Sequence, residues 1–367
     1  MLSLEFLTKA ISPVLVTPQQ CTVARHQRSA CRRCAEACPV GCLSIDRGPV
    51  LDAEECDGCG LCTAACPTGA LRLRGISLSD IARGGRTLTM TCRYGEAPGP
   101  DAIGLPCLGW LTADHLVWLG LSTGGPVVLA MGDCDSCRCS LGREMALTAI
   151  RRSRGVLRAA GRTEASFRHG SAARSRASGG RPVVISVTRK ELFSLVRREA
   201  LRLAVAAGEE LIPLWTDDPA RPAYLIPQRR TAWLALARRM EWPDEISPAD
   251  QLPQAARAIT GGCDGCGMCA RSCPSGALRL AGEVITHNSE ICLNCGLCLS
   301  LCPRGLVREA PGLSLAGLGR GRRRVLVTLM RQRCQACGHE YLTDADEAQT
   351  QAICSSCRAE RRVLGLT

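Results

Sequence analysis

Aromatic residues make up only 3% of this 367-residue sequence, and Lys9 and Lys190 are its only lysines. So few large rings exclude an aromatic core. A basic complement made almost wholly of Arg reflects a GC-rich coding bias better than a phosphate-binding surface. No uninterrupted apolar run approaches the 18 or so residues of a membrane-spanning helix. The opening MLSLEFLTKAIS carries Glu5 within its apolar stretch and no basic start, a poor secretion signal. No Gly-rich loop ends in Lys, and no G-x-G-x-x-G follows a strand, so nucleotide, flavin and nicotinamide sites are not expected. Cys38 and Cys42 are followed by Ile45, which rules out the C-x3-C-x2-C triplet of radical enzymes. Neither a Ser/His/Asp grouping nor a clustering of His26, His115, His169 and His287 emerges.

What the chain has instead is cysteine, 26 in all. The most informative segment is a tandem run: Cys263, Cys266, Cys269 and Cys273-Pro274, then Cys292, Cys295, Cys298 and Cys302-Pro303. Each run reads C-x2-C-x2-C-x3-C-P, which lets one loop offer three thiolates to one inorganic cube. Zinc knuckles do not need three thiols at steps of three, and structural zinc sites draw four ligands from two pairs. This region resembles the bacterial two-cluster 4Fe–4S ferredoxins. In that family the fourth Cys of each run reaches the other cluster. The resemblance therefore implies Cys263, Cys266, Cys269 and Cys302 on one cluster, and Cys292, Cys295, Cys298 and Cys273 on its neighbour.

An imperfect copy lies near the N-terminus. Its later run is complete, Cys56, Cys59, Cys62 and Cys66-Pro67, followed by TGALRL as SGALRL follows Cys273-Pro274. Its earlier run reads Cys31, Cys34 and Cys38-Pro39, with Arg28 where a first Cys should stand. Cys21 is the natural substitute on a longer loop. By the same resemblance Cys21, Cys31, Cys34 and Cys66 would hold one cluster, and Cys56, Cys59, Cys62 and Cys38 the other. Without Cys21 the first site would have three thiolates and an open iron. Cys42 takes the place of Ala70 and Ala277 in the equivalent turns, and is expected as a small buried residue.

Thiolate ligation needs reduced sulfur, so a cytoplasmic and anaerobic setting is expected. The formal net charge is +12, which invites a nucleic-acid reading. Four oxidised cubes bound by thiolates, and a zinc bound likewise, bring the loaded protein to about +2, near neutrality. Nucleic acid is therefore not the expected partner.

Between the modules, residues 86–162 change character. RTLTMTC, DAIGLPC and PVVLAMGDC read as strands running into Cys92, Cys107 and Cys134, while TADHLVWLGL and SLGREMALTAIRRSRGVL read as helices. That order implies a small α/β unit with a mainly parallel sheet, whose sites lie at the carboxyl ends of strands. LPCLGWL and VVLAMGDCDSC resemble segments of the small iron–sulfur (delta) subunit of methyl-viologen-reducing hydrogenase. The resemblance implies a 2Fe–2S cluster on Cys92, Cys107, Cys134 and one of Cys137 or Cys139. The competing reading is a buried core with incidental thiols.

Residues 163–182 are polar and aperiodic, the composition of a linker. Residues 183–258 read as helical in RKELFSLVRREALRLAVAAG and QRRTAWLALARRM, and their apolar faces should meet the modules, a partner or a membrane surface. Cys334-x2-Cys337 with Cys354-x2-Cys357 over 331–361 has the pattern of a zinc ribbon; a rubredoxin-like iron would use the same ligands. His339 is expected as a solvated turn residue there.

The expected fold class is α+β and multidomain: two ferredoxin-like modules at 21–75 and 259–310, the α/β unit between them, a helical segment and the ribbon. Four 4Fe–4S clusters, a 2Fe–2S cluster and one zinc point to electron transfer, as a carrier or as the wiring subunit of an anaerobic oxidoreductase. Redox proteins or other subunits are the expected partners. The alternatives are a reductase of disulfides or sulfur compounds at the α/β cysteines, and a redox-responsive regulator or assembly factor working through the ribbon.

Overall fold

The computed structural model describes residues 12–76, 81, 88–93, 95, 102–123, 126–162, 167–171, 181–182, 226–344 and 353–363. Within them the chain is mixed α/β, built of small sheets and short helices. The two cysteine-rich modules share one plan. In the first, Val14–Val16 pairs antiparallel with Leu71–Leu73, and an inner hairpin joins Leu43–Ile45 to Pro49–Leu51. In the second, Arg257–Ile259 pairs with Val307–Glu309, and Leu278–Ala281 with Val284–His287. Cysteine spacing alone put the module starts at 21 and 259. Both in fact begin earlier, because a closing strand precedes the first Cys of each.

The α/β unit carries five strands, all paired in parallel, in the order Phe167–Ser171, Val127–Met131, Leu88–Cys92, Ile103–Leu105 and Arg181–Pro182. The stretch 163–182, expected as a linker, thus supplies both edge strands. Edge pairing uses backbone groups and needs little apolar pattern, which is why composition hid it. Leu88, Met90, Leu105 and Leu129 of this sheet share a buried core with Val14, Leu43, Leu71 and Leu73 of the first module.

Helix Ala113–Ser122 opens on a capping box: Thr112 Oγ1 accepts from the His115 N–H, and His115 Nδ1 accepts from the Thr112 N–H. Burial, then Arg229, pushes the His115 pKa down to about 3. Its folded value lies below the usual 6.5, so the unfolded chain binds the extra proton between those limits. The contribution to stability is therefore full above about pH 6.5 and shrinks as pH falls toward 3. We expect the native protein to lose about 1.4 kcal/mol from this group between pH 7.5 and 5.5. His115→Gln keeps the cap and should lose that much less. Anaerobic urea titrations at both pH values check it, and equal losses in the two proteins refute it.

Of the segment expected to be helical, 189–208 lies outside the described residues. Gln228–Ala237 is a helix that buries Trp233, Leu234 and Ala237 against Val117, Val156, Leu252, Leu315 and Leu318. Beyond it, among the described residues to 258, no further α-helix forms: Ile246–Pro248 pairs with Gly312–Ser314 and Ala249–Gln251 makes a single 3-10 turn, in a stretch punctuated by the prolines at 243, 248 and 253. At the C-terminal end Arg324–Arg333 adds to the hairpin of the second module and pairs onward with Glu340–Asp344, so the ribbon grows out of that module as one four-stranded sheet. Among the described residues no helix is long and apolar enough to cross a membrane.

Candidate metal centres

In the second module a cavity is lined by Cys263, Cys266, Cys269 and Cys302, and a separate one by Cys273, Cys292, Cys295 and Cys298. The structure gathers the same two sets that the ferredoxin resemblance implies. Short helices Met268–Arg271 and Leu297–Leu301 present Cys269 and Cys298. Each follows a glycine in the left-handed region, Gly267 at φ 70° and Gly296 at φ 78°, which bends the loop sharply between successive thiols. Asn294, at φ 51°, serves between Cys292 and Cys295 where a glycine stands in the companion run.

In the first module Cys21, Cys31, Cys34 and Cys66 line one cavity. Cys21 is buried at the start of helix Thr22–Arg25, which carries it into the place that Arg28 leaves without a thiol. Arg32 stands where the other runs have glycine and is not left-handed, at φ −124°. This loop therefore departs twice from the repeat, and Arg32 is a sequence signal of that departure. Cys38, Cys56 and Cys59 lie within electrostatic reach of Cys62. Cys42 Sγ is 3.5 Å from Cys38 Sγ, so a fifth thiol faces this site rather than serving only as apolar filling.

A further cavity lies in the α/β unit, where Cys92, Cys107, Cys134, Cys137 and Cys139 all meet. Cys92 ends its strand, while Cys107 and Cys134 sit just past theirs. Cys137 and Cys139 fall in the turn before helix Leu141–Ala159. Gly142 is required there, since any side chain would collide with Cys107 Sγ. Both Cys137 and Cys139 line the cavity, where the sequence reading asked for one of them.

The donor sets suit cationic cofactors. Burial, then the neighbouring Cys66, Cys21 and Cys31, pushes the Cys34 thiol up to about 12. Burial does the same at Cys269, then Cys298 and its own set, again to about 12. Burial also raises Cys107 to about 12. Sulfurs packed this closely repel as thiolates, and only a positive core among them reverses that cost. The fit is thus one of chemistry as well as of placement.

The ribbon site is more compact. The sulfurs of Cys334, Cys337, Cys354 and Cys357 all lie within 4.8 Å of one another, and a Zn–S bond of about 2.3 Å sets tetrahedral sulfurs roughly 3.8 Å apart. The Cys354 N–H donates to Cys334 Sγ, holding that thiol down to about 6. This group of four can bind a metal ion.

Sequence reasoning missed the residues that tie the centres together. Arg230 is buried and donates to Asp114 Oδ1 at 2.6 Å and to the carbonyls of Glu290, Cys292 and Pro253. Arg229 donates to the Cys66 carbonyl, and Trp233 Nε1 to Asp114 Oδ1. In so Arg-rich a chain nothing marks these two arginines out.

Residues 262–306 match the family model of the 4Fe-4S dicluster domain, and residues 49–72 that of the 4Fe-4S binding domain. No curated protein and no solved structure matches the chain. The matched segments hold Cys263 to Cys302 and Cys56 to Cys66. With these matches beside the cysteine geometry, the chain carries two ferredoxin-type 4Fe–4S domains, and iron–sulfur binding is its chemistry.

Proposed function

We propose that this protein is a multicluster electron-transfer protein, a carrier or the wiring subunit of an anaerobic oxidoreductase complex. The observation that carries the reading is the gathering of cysteines into successive sets, two in each module and one in the α/β unit. In this reading Cys21, Cys31, Cys34 and Cys66 hold one 4Fe–4S cluster, Cys38, Cys56, Cys59 and Cys62 a second, and the two sets of the second module one each. Cys92, Cys107, Cys134 and Cys137 or Cys139 hold a smaller cluster, and the ribbon holds zinc. Clusters so bound take up and release single electrons at potentials that the protein sets. The chain's own contribution is visible at Arg257, buried beside the second module's inner set, whose guanidinium donates to Cys298 Sγ. A cation and an N–H on that sulfur favour the more negative, reduced state.

Anaerobically reconstituted full-length protein should contain about 16 irons in cubes, about two more at the α/β site and one zinc. Metal analysis with Mössbauer spectroscopy checks this. A plateau near eight irons would mean that the N-terminal module is not a two-cluster ferredoxin.

A second reading is a reductase of disulfides or sulfur compounds, favoured by the five thiols around one cavity where a cluster uses four. Turnover by the purified chain with an artificial donor, lost in Cys134→Ser while the cubes stay intact, would support it over a passive carrier.

A further inference from the structure

Sequence order sets the α/β cysteines between the two modules. The α/β unit itself touches both, through Asp114 and Arg230 on the second module's side, but the contacts between the cysteine sites give a different order. The modules meet directly: Arg33, beside Cys34, donates to the carbonyl of Asn294, between Cys292 and Cys295, at 2.9 Å. The adjacent Arg229 and Arg230 hold the Cys66 and Cys292 carbonyls at 2.7 and 3.0 Å. Within each module the two sets adjoin, Cys34 beside Cys62 and Cys269 beside Cys298. The α/β site touches the first module at its Cys56 set. Cys59 and Cys139 are within hydrogen-bonding reach and share a buried cluster with Leu61, and Arg138 pairs with Asp57 at 3.2 Å.

We infer that the five cysteine sites form one unbranched series, running from Cys263 through Cys292, Cys21 and Cys56 to an end at the α/β site. The α/β site is then a terminus of the path, and not a bridge between the modules. This rests on the electron-transfer reading above and adds to it an order. The other terminus is the Cys263 set, which lies under the ribbon, where the Asp344 N–H donates to the Cys263 carbonyl. The cysteines on either side of each junction belong to consecutive sites, so every electron leaving the second module for the α/β site passes both sets of the first.

Magnetic coupling tests the order, because a paramagnetic neighbour broadens a signal and speeds its relaxation steeply with proximity. The full chain is reduced with dithionite without oxygen and followed by electron paramagnetic resonance. Emptying the adjoining site with Cys56→Ala and Cys62→Ala together should narrow the α/β signal and slow its relaxation several-fold. Emptying the inner set of the second module with Cys295→Ala and Cys298→Ala should leave it unchanged. Should the first pair prevent folding, Cys107→Ala with Cys134→Ala empties the α/β site instead. It should narrow the Cys56 signal and spare the Cys295 signal. An α/β signal that responds to loss of the Cys295 site and ignores loss of the Cys56 site overturns the order. Sixteen irons with no fifth signal also overturn it while leaving the electron-transfer reading intact, whereas a chain without iron ends both.

Discussion

Chelating the iron without oxygen should unfold both cysteine-rich modules, the largest effect expected of any single change to this protein. Their regular structure is too slight to stand alone. The first module offers strands of three residues and helices of four or five, Arg33–Glu36 and Leu61–Ala65. Helices of that length fall well below what nucleation requires, and isolated two-stranded hairpins are marginal. The second module's buried apolar cluster is Cys269, Leu278, Ile285, Val307, Val327 and Leu329. One of those six is a thiol of the site itself, and two belong to the strand leading to the ribbon. Structural metal sites contribute about 10–16 kcal/mol at neutral pH in small domains, as much as a whole domain's usual margin of about 5–15. Amide exchange in the stripped chain should approach the unfolded rate across 12–76 and 257–309. Strand Val127–Met131 and helix Leu141–Ala159 should keep more protection, since the strand pairs with Leu88–Cys92 inside the sheet and the helix packs on Ala113–Ser122. Retained protection in both modules would show that side chains, not clusters, form the core.

The strength of that expectation follows from what could be read in the sequence. Three-residue steps ending in Cys-Pro dictate a tight loop with thiols on its inner side, so three thiols of each set in the second module were legible from local spacing, and the fourth, from the other run, only through the ferredoxin resemblance. Cys21 was legible by elimination, because its run lacks a thiol at Arg28, and the structure carries Cys21 to that cavity. The alternation of strands and helices around Cys92, Cys107 and Cys134 gave the parallel sheet and the meeting of thiols at its carboxyl edge. Long-range features left no such trace. Strand Val14–Val16 is three residues whose partner lies some sixty positions away, and edge strand Arg181–Pro182 is two. The direct contact between modules depends on Arg33, Arg229, Arg230 and Asn294, and a guanidinium that binds carbonyls looks in sequence like one in water.

Arg230→Met should be the most damaging substitution outside the cysteines, for reasons that lie in what it leaves behind. Asp114 is buried, which pushes its carboxyl up, but Arg230, Arg229 and the bond from Trp233 together hold it below the usual carboxylate range. Removing Arg230 leaves that carboxylate in the interior with only Arg229 at 3.9 Å and the Trp233 N–H, and leaves the carbonyls of Glu290, Cys292 and Pro253 without their donor. Breaking a buried pair on one side costs about 3–5 kcal/mol, and each orphaned buried acceptor about 1–3 more. The loss should appear as a lowered anaerobic denaturation midpoint and as faster exchange where the modules meet, in 288–296 and 226–237. Because Cys292 hangs on the same guanidinium, the signal of the inner set should broaden as its loop gains freedom. Removing Asp114 as well, with Asp114→Leu in the Arg230→Met background, should recover part of the stability, since the charge is then no longer stranded. It should not restore the sharp signal, since the Cys292 carbonyl still lacks its donor. A single substitution costing under about 1 kcal/mol would mean that water replaces the guanidinium, and that Arg230 does not hold the modules together.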